Sequence, residues 1–81
     1  MIYMFAAFEP KKALSTRIMR RIEKIAAEHD SRLNGGEVPG RDGKYLYWFY
    51  TRDYGEPHRS DTRDALIRAI AAAGITLPYW S

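Results

Sequence analysis

The chain predicts an α+β fold in which an antiparallel sheet carries two helices on one face. Two apolar runs, Ile2 to Phe8 and Tyr45 to Thr51, read as strands, and each is followed further on by a stretch with helical spacing. Hydrophobic residues at 46% and charged residues at 28% lie near globular averages, which excludes disordered and fibrous classes. With 81 residues the chain suffices for one modest core, so a single domain over 1–81 is expected.

Ile2 to Phe8 lacks polar residues at helical intervals and stops at Glu9-Pro10, which favours a buried strand. Pro10 suits the first turn of a helix, where its missing N–H is not needed. Leu14, Ile18, Ile22, Ile25 and Ala26 then recur on one side, predicting an amphipathic helix that ends near His29-Asp30. A second strand is expected from Arg32 and Leu33, interrupted at Asn34-Gly35-Gly36 by a turn or bulge. Gly40-Arg41-Asp42-Gly43 would turn it into the third strand as a hairpin. That strand, Lys44 to Arg52, is apolar on both alternations and therefore reads as central, with both faces covered.

After the loop holding Pro57, either Ser60 or Asp61 can cap a second helix, and Leu66, Ile67, Ile70 and Ala73 form its inner stripe. Gly74 stops it. Ile75-Thr76-Leu77 is a short candidate strand that Pro78 restricts to an edge. The predicted order, βαββαβ, is the split arrangement of ferredoxin-like domains, with the first and third strands central. The same residues admit a three-stranded sheet with Tyr79-Trp80 packing as a tail.

Right-handed crossovers put both helices on one face and leave the other open. The set Ile2, Met4, Ala6, Phe8, Leu46, Trp48 and Tyr50 holds the aliphatics and is expected beneath the helices. Tyr3, Phe5, Tyr45, Tyr47 and Phe49, a ring set whose tyrosines carry hydroxyl tips, are expected on the open face. The residues also allow these two sets to be exchanged. Five rings would make a patch of roughly 400 Å², enough to need a cover.

The net charge of +3 is concentrated, since residues 1–24 carry six cations against Glu9 and Glu23. Arg17, Arg20, Arg21 and Lys24 make one basic helix stripe, suited to phosphates or an acidic protein surface, or simply to water. Gly43-Lys44-Tyr45-Leu46-Tyr47-Trp48-Phe49-Tyr50 resembles the third strand of RNA recognition motifs, and Ile2-Tyr3-Met4 resembles the first. In that family, rings two residues apart stack on bases. The resemblance implies at most a shared topology, because Gly43 and Lys44 stand in inverted order and Leu46 replaces a small residue.

No cysteine is present, so disulfides and thiolate metal sites are excluded, and neither metal nor cofactor is expected. His58, Glu56 and Arg59 could in principle run acid-base chemistry, but their spacing matches no motif, and no catalytic residues are assigned. The glycines lack the following Lys-Ser/Thr of a phosphate loop. The apolar start is too short for a membrane span, so a cytoplasmic protein is expected. These readings point to a small non-enzymatic binding module, such as the inhibitors or adaptors that phages and mobile elements encode against a larger nucleic-acid-processing or host-defence machine. A protein is the expected partner, a second copy of the chain included. Single-stranded nucleic acid is the alternative, while a membrane or a small-molecule substrate is not expected.

Overall fold

The computed structural model describes residues 1–80, with β1 (Ile2–Phe8), α1 (Thr16–Glu28), β2 (Ser31–Glu37), β3 (Tyr45–Arg52) and α2 (His58–Ala72) in that order. The strands form one antiparallel sheet ordered β1-β3-β2. β3 is central, as its two apolar alternations predict.

The expected fourth strand is absent among the described residues. Gly74, at φ +79, ends α2 by letting its own N–H reach the Ala71 carbonyl and the Ile75 N–H reach the Ile70 carbonyl. That cap turns Ile75 into the core, and Pro78 then withholds a ladder donor. Among the described residues of the C-terminal segment, Tyr79 forms an isolated bridge to Phe8 and the Trp80 N–H donates to the Ala7 carbonyl at 3.0 Å. The sheet is therefore three-stranded, and β1 is an edge rather than a central strand.

Local chemistry also moves the helix starts. α1 begins at Thr16, not at Pro10, because Ser15 supplies the cap: its Oγ accepts the Ile18 N–H at 3.2 Å. Lys11 and Lys12 would sit unfavourably at a positive helix end. α2 begins at His58, ahead of the expected Ser60 or Asp61 cap. Pro57 occupies the cap position without a side-chain bond, and Glu56 takes over the capping by accepting from the Ser60 N–H at 3.1 Å. Asp61 lies in the first turn, where a carboxylate is favoured.

β2 runs unbroken through Asn34-Gly35-Gly36, contrary to the expected interruption, with its register on β3 kept from Ser31 opposite Thr51 to Glu37 opposite Tyr45. Gly35 is what allows this. A Cβ there would lie 2.1 Å from the Leu46 carbonyl oxygen and 2.7 Å from the Tyr47 Cα, so only glycine admits the close approach.

β1 does break register. Phe5 faces Phe49 while Phe8 faces Tyr47, so β1 carries one residue more than β3 over this interval, a bulge. Ala6 sits in it, buried and at φ +52, a left-handed conformation that costs a non-glycine residue about 1–3 kcal/mol. The extra residue turns both Phe5 and Phe8 toward the helices. There they join Tyr47 and Phe49, Ile22 and Ala26 of α1, Leu66 and Ile70 of α2, and Ile75 in one core. Phe8 stacks on Tyr47 with centroids 5.5 Å apart, and the Tyr79 ring meets it edge-on at 6.0 Å.

Gly35→Ala should cost more than about 2 kcal/mol of unfolding free energy in urea, because two backbone groups block the new methyl. Gly36→Ala meets no atom within 4 Å and should cost only the ~1–3 kcal/mol of its backbone angle, less than Gly35→Ala, which adds the clash to a positive φ of its own. Equal losses at the two sites would contradict the tight crossing at Gly35.

Candidate docking surface

The ring set expected on the open face lies under the helices instead. Phe5, Tyr47 and Phe49 are 4%, 3% and 0% exposed, and Tyr3 and Tyr45 pack against the same core. The physical reason is a division of labour: the helices bring Ile18, Ile22, Ile25, Leu66 and Ile70, and flat rings from the sheet fill the space below them. Tyr3 stacks on Phe5 at 5.3 Å and Phe5 on Phe49 at 6.0 Å, so the rings form a continuous row.

The opposite phase makes the open face. Ile2 and Met4 are 58% and 60% exposed, Leu46, Trp48 and Tyr50 are half-buried, and Trp80, at 60%, reaches in from the C-terminal segment. Met4, Phe5, Ala7, Leu46, Trp48 and Trp80 line a shallow cleft of about 410 Å³. The cross-strand rows place Arg52 beside Ile2, and Tyr50 between Met4 and Arg32. Strand residues of this phase include two arginines and no carboxylate. Arg52 was the available sequence signal: it alternates with Thr51 on the phase of Trp48 and Tyr50, and a strand cation marks the wet face. Arg32 gives the same signal against Leu33.

The basic stripe of α1 divides. Arg21 turns toward α2 and donates from Nη2 to the Ala73 carbonyl at 2.7 Å, tying the two helices at a carbonyl-rich helix end. Arg20 and Lys24 face the other way and line a groove of about 540 Å³ with Glu23, Ser31, Arg32 and Tyr50. Arg17 is exposed. Among the described residues, Arg17, Arg20, Lys24, Arg32 and Arg52 make no ion pair. The stripe thus meets the open face around the β2 edge rather than being isolated behind the sheet.

The loop before α2 is held by its own bonds. Asp53 accepts from the Gly55 N–H at 2.8 Å and from Arg59 through both oxygens, at 2.8 and 2.5 Å, while the Arg59 guanidinium lies 5.4 Å from the centre of the Tyr3 ring. The Arg59 bonds, aided by Gly55, lower the Asp53 pKa to about 2. His58 sits edge-on to Tyr54 at 4.8 Å, with Nε2 3.4 Å from Thr62 Oγ1. Glu56 also accepts from the Ser60 hydroxyl at 2.5 Å, so its carboxylate serves the helix end. His29 is the C-cap of α1. No cluster of metal-ligating side chains occurs among the described residues, and none of their helices is long and apolar enough to cross a membrane.

Comparison with models of known families, with curated protein sequences and with solved structures returns no match. The surface itself carries the functional reading.

Two measurements check these assignments. Because the Asp53 pKa is depressed on folding, its stabilisation is present above the unfolded value of 3.8 and disappears as the pH falls through about 2. Asp53→Asn should therefore flatten the acid limb of stability against pH in that window; an unchanged limb would remove the Arg59 contact as its source. The Tyr79 hydroxyl is buried without a hydrogen-bond partner, and burial raises its pKa to about 12. Tyr79→Phe should leave the melting temperature unchanged or raise it, whereas a loss above about 1 kcal/mol would mean that the hydroxyl is bonded.

Proposed function

We propose that this chain is a small non-enzymatic module that docks on a protein partner through the open face of its sheet, acting as an inhibitor or adaptor of a larger machine in the cytoplasm. The observation that carries this reading is the run of Met4, Leu46, Trp48 and Trp80 on a face that no helix covers. Contiguous apolar surface rimmed by polar residues commonly marks an interaction site, and tryptophan is favoured at the energetic centre of such interfaces. Glu56 is occupied in capping α2 through Ser60, and Arg59 is paired with Asp53, which supports a binding role over catalysis. At the level of fold, the Tyr79 bridge occupies the place of a fourth strand beside β1, and this supports a ferredoxin-like arrangement reduced at its C-terminal strand.

A second reading, binding of single-stranded nucleic acid, is favoured by one specific observation. Trp48 and Tyr50 lie two residues apart on the open face, with Arg32 and Arg52 alongside, and rings with nearby cations can hold bases and phosphates.

Photo-reactive benzoylphenylalanine placed at Tyr50 on the open face, or at Tyr45 on the covered one, distinguishes the readings in cells of the source organism. We expect a protein adduct from position 50 and none from position 45. Reconstituted with the purified partner, Trp48→Ala should weaken binding by at least about thirtyfold, the loss typical of a central anchor. A nucleic-acid adduct at position 50 would favour the second reading, and no adduct at position 50 would refute both.

A further inference from the structure

We infer that the open face receives an extended acidic segment of the partner, added to the free edge of β1 as a strand, with an apolar side chain seated between Met4, Trp48 and Trp80. This inference rests on the docking reading above and specifies the chemistry of the occupant.

The edge comes first. The Asp53 N–H donates to the Met1 carbonyl at 3.1 Å, which sets the antiparallel ladder so that Met1, Tyr3 and Phe5 exchange bonds with β3. Ile2 and Met4 then direct their N–H and C=O groups away from the sheet. No described strand pairs with β1 on that side. Among the described residues, the C-terminal segment meets this edge at its far end, through the Tyr79 bridge to Phe8 and the Trp80 bond to Ala7. An incoming strand would continue that line from Ala6 toward Ile2.

The cleft comes second. An added strand lies about 4.8 Å from β1, and alternate side chains fall on the open face. One of them would enter the 410 Å³ cleft, whose walls include Met4, Trp48 and Trp80. The occupant should therefore carry leucine, phenylalanine or a similar residue at the position that reaches the cleft, leaving the positions two residues to either side for carboxylates on the same face.

Charge selects among occupants. Arg52 and Arg32 stand at one end of the apolar strip, and Lys11, Arg41 and Lys44 line a second cleft that begins at Leu46, at the other end. Glu9 shares that second cleft, so the cationic excess is not absolute there, but the strand residues of the open face include no carboxylate. A second copy of the chain would oppose arginine-bearing faces, and like charges across an interface oppose binding. A nucleic acid would satisfy the cations but offers no ladder of amides to the edge at Ile2 and Met4. A segment with carboxylates flanking apolar residues satisfies the edge, the cleft and the charge together.

The test uses blocked synthetic peptides of about ten residues, long enough to cover one strand. One carries Leu at its centre with Glu two and four residues to either side, so that Leu and carboxylates share a face, one has Lys in place of those Glu, and two carry the acidic sequence with N-methyl groups on one or the other set of alternate amides. An oligothymidine of similar length is the competing probe. Trp48 and Trp80 are the only tryptophans, so intrinsic fluorescence reports at the site.

We expect the acidic peptide to bind in the micromolar range and the basic one at least about tenfold more weakly. Arg32→Glu with Arg52→Glu should reverse that preference, since complementary charge sets specificity. One N-methylated peptide should bind like its parent and the other not at all, the signature of an added strand. Equal binding of acidic and basic peptides, or of both N-methylated forms, would overturn the inference. If no peptide binds while the position 50 adduct is still a protein, the inference fails and the docking reading stands. Oligothymidine binding that exceeds peptide binding and is lost with Trp48→Ala would overturn both.

Discussion

The bulge at Ala6 is the constraint on which the rest of the structure depends. In a regular strand, Phe5 and Phe8 would point to opposite faces, and one of these two large rings would lie in water. One added residue puts both on the helix side, where they meet Phe49 and Tyr47. Full burial of a phenylalanine is worth about 1.5–3 kcal/mol, which matches or exceeds the cost of holding one alanine at a positive φ. The strain at Ala6 is thus offset within its own strand. The same step fixes which side of β1 faces out.

Once Phe5 and Phe8 are inside, the remaining packing follows. β3 must present Tyr47 and Phe49 on the same side, and its other phase, Leu46, Trp48 and Tyr50, is displaced to the open face. Thr51 anchors the covered phase, that of Tyr47 and Phe49, at the end of β3, where its Oγ1 donates to the Asp30 carbonyl at 2.8 Å. Gly35 lets β2 cross close to Leu46 and Tyr47, so the edge next to the basic helix stays flat and continuous. Arg20, Lys24 and Arg32 are gathered there. An apolar strip with cations around it is a consequence of core packing, and it is the surface on which the proposed docking rests.

Much of the fold was legible in the sequence for local reasons. The amphipathic spacing from Ile18 to Ala26, the stripe of Leu66 and Ile70, the stop at Gly74 and the two-sided apolar character of Tyr45 to Thr51 each depend on neighbours a few residues away. The candidate site was less legible, because two alternations on one strand that are both apolar give equal local signals. Aliphatic and aromatic sets cannot be ranked by hydrophobicity alone when the helices already supply the aliphatics. Arg52 and Arg32, the charged residues on the exposed phase, were the discriminating signal. The hydroxyl tips of Tyr45 and Tyr47 suggested the wrong face because a phenol can keep its tip at the margin of a core.

The sequence by itself determined the first and third strands, the two helices and the turns at Gly43 and Gly74, since periodicity, caps and backbone freedom are properties of short segments. Only the tertiary structure decided the direction each strand faces, the loss of the fourth strand and the division of the basic stripe. The bulge that reverses the phase of β1 leaves no local mark, because an alanine takes a left-handed angle only when the rings on both sides of it have a common core to enter. The fourth strand failed for a similar reason: Ile75 is more favourably buried under the helices than paired beside β1. Arg21 left its stripe because the carbonyl end of α2 came within reach of α1, a proximity that exists only once both helices pack on the same sheet.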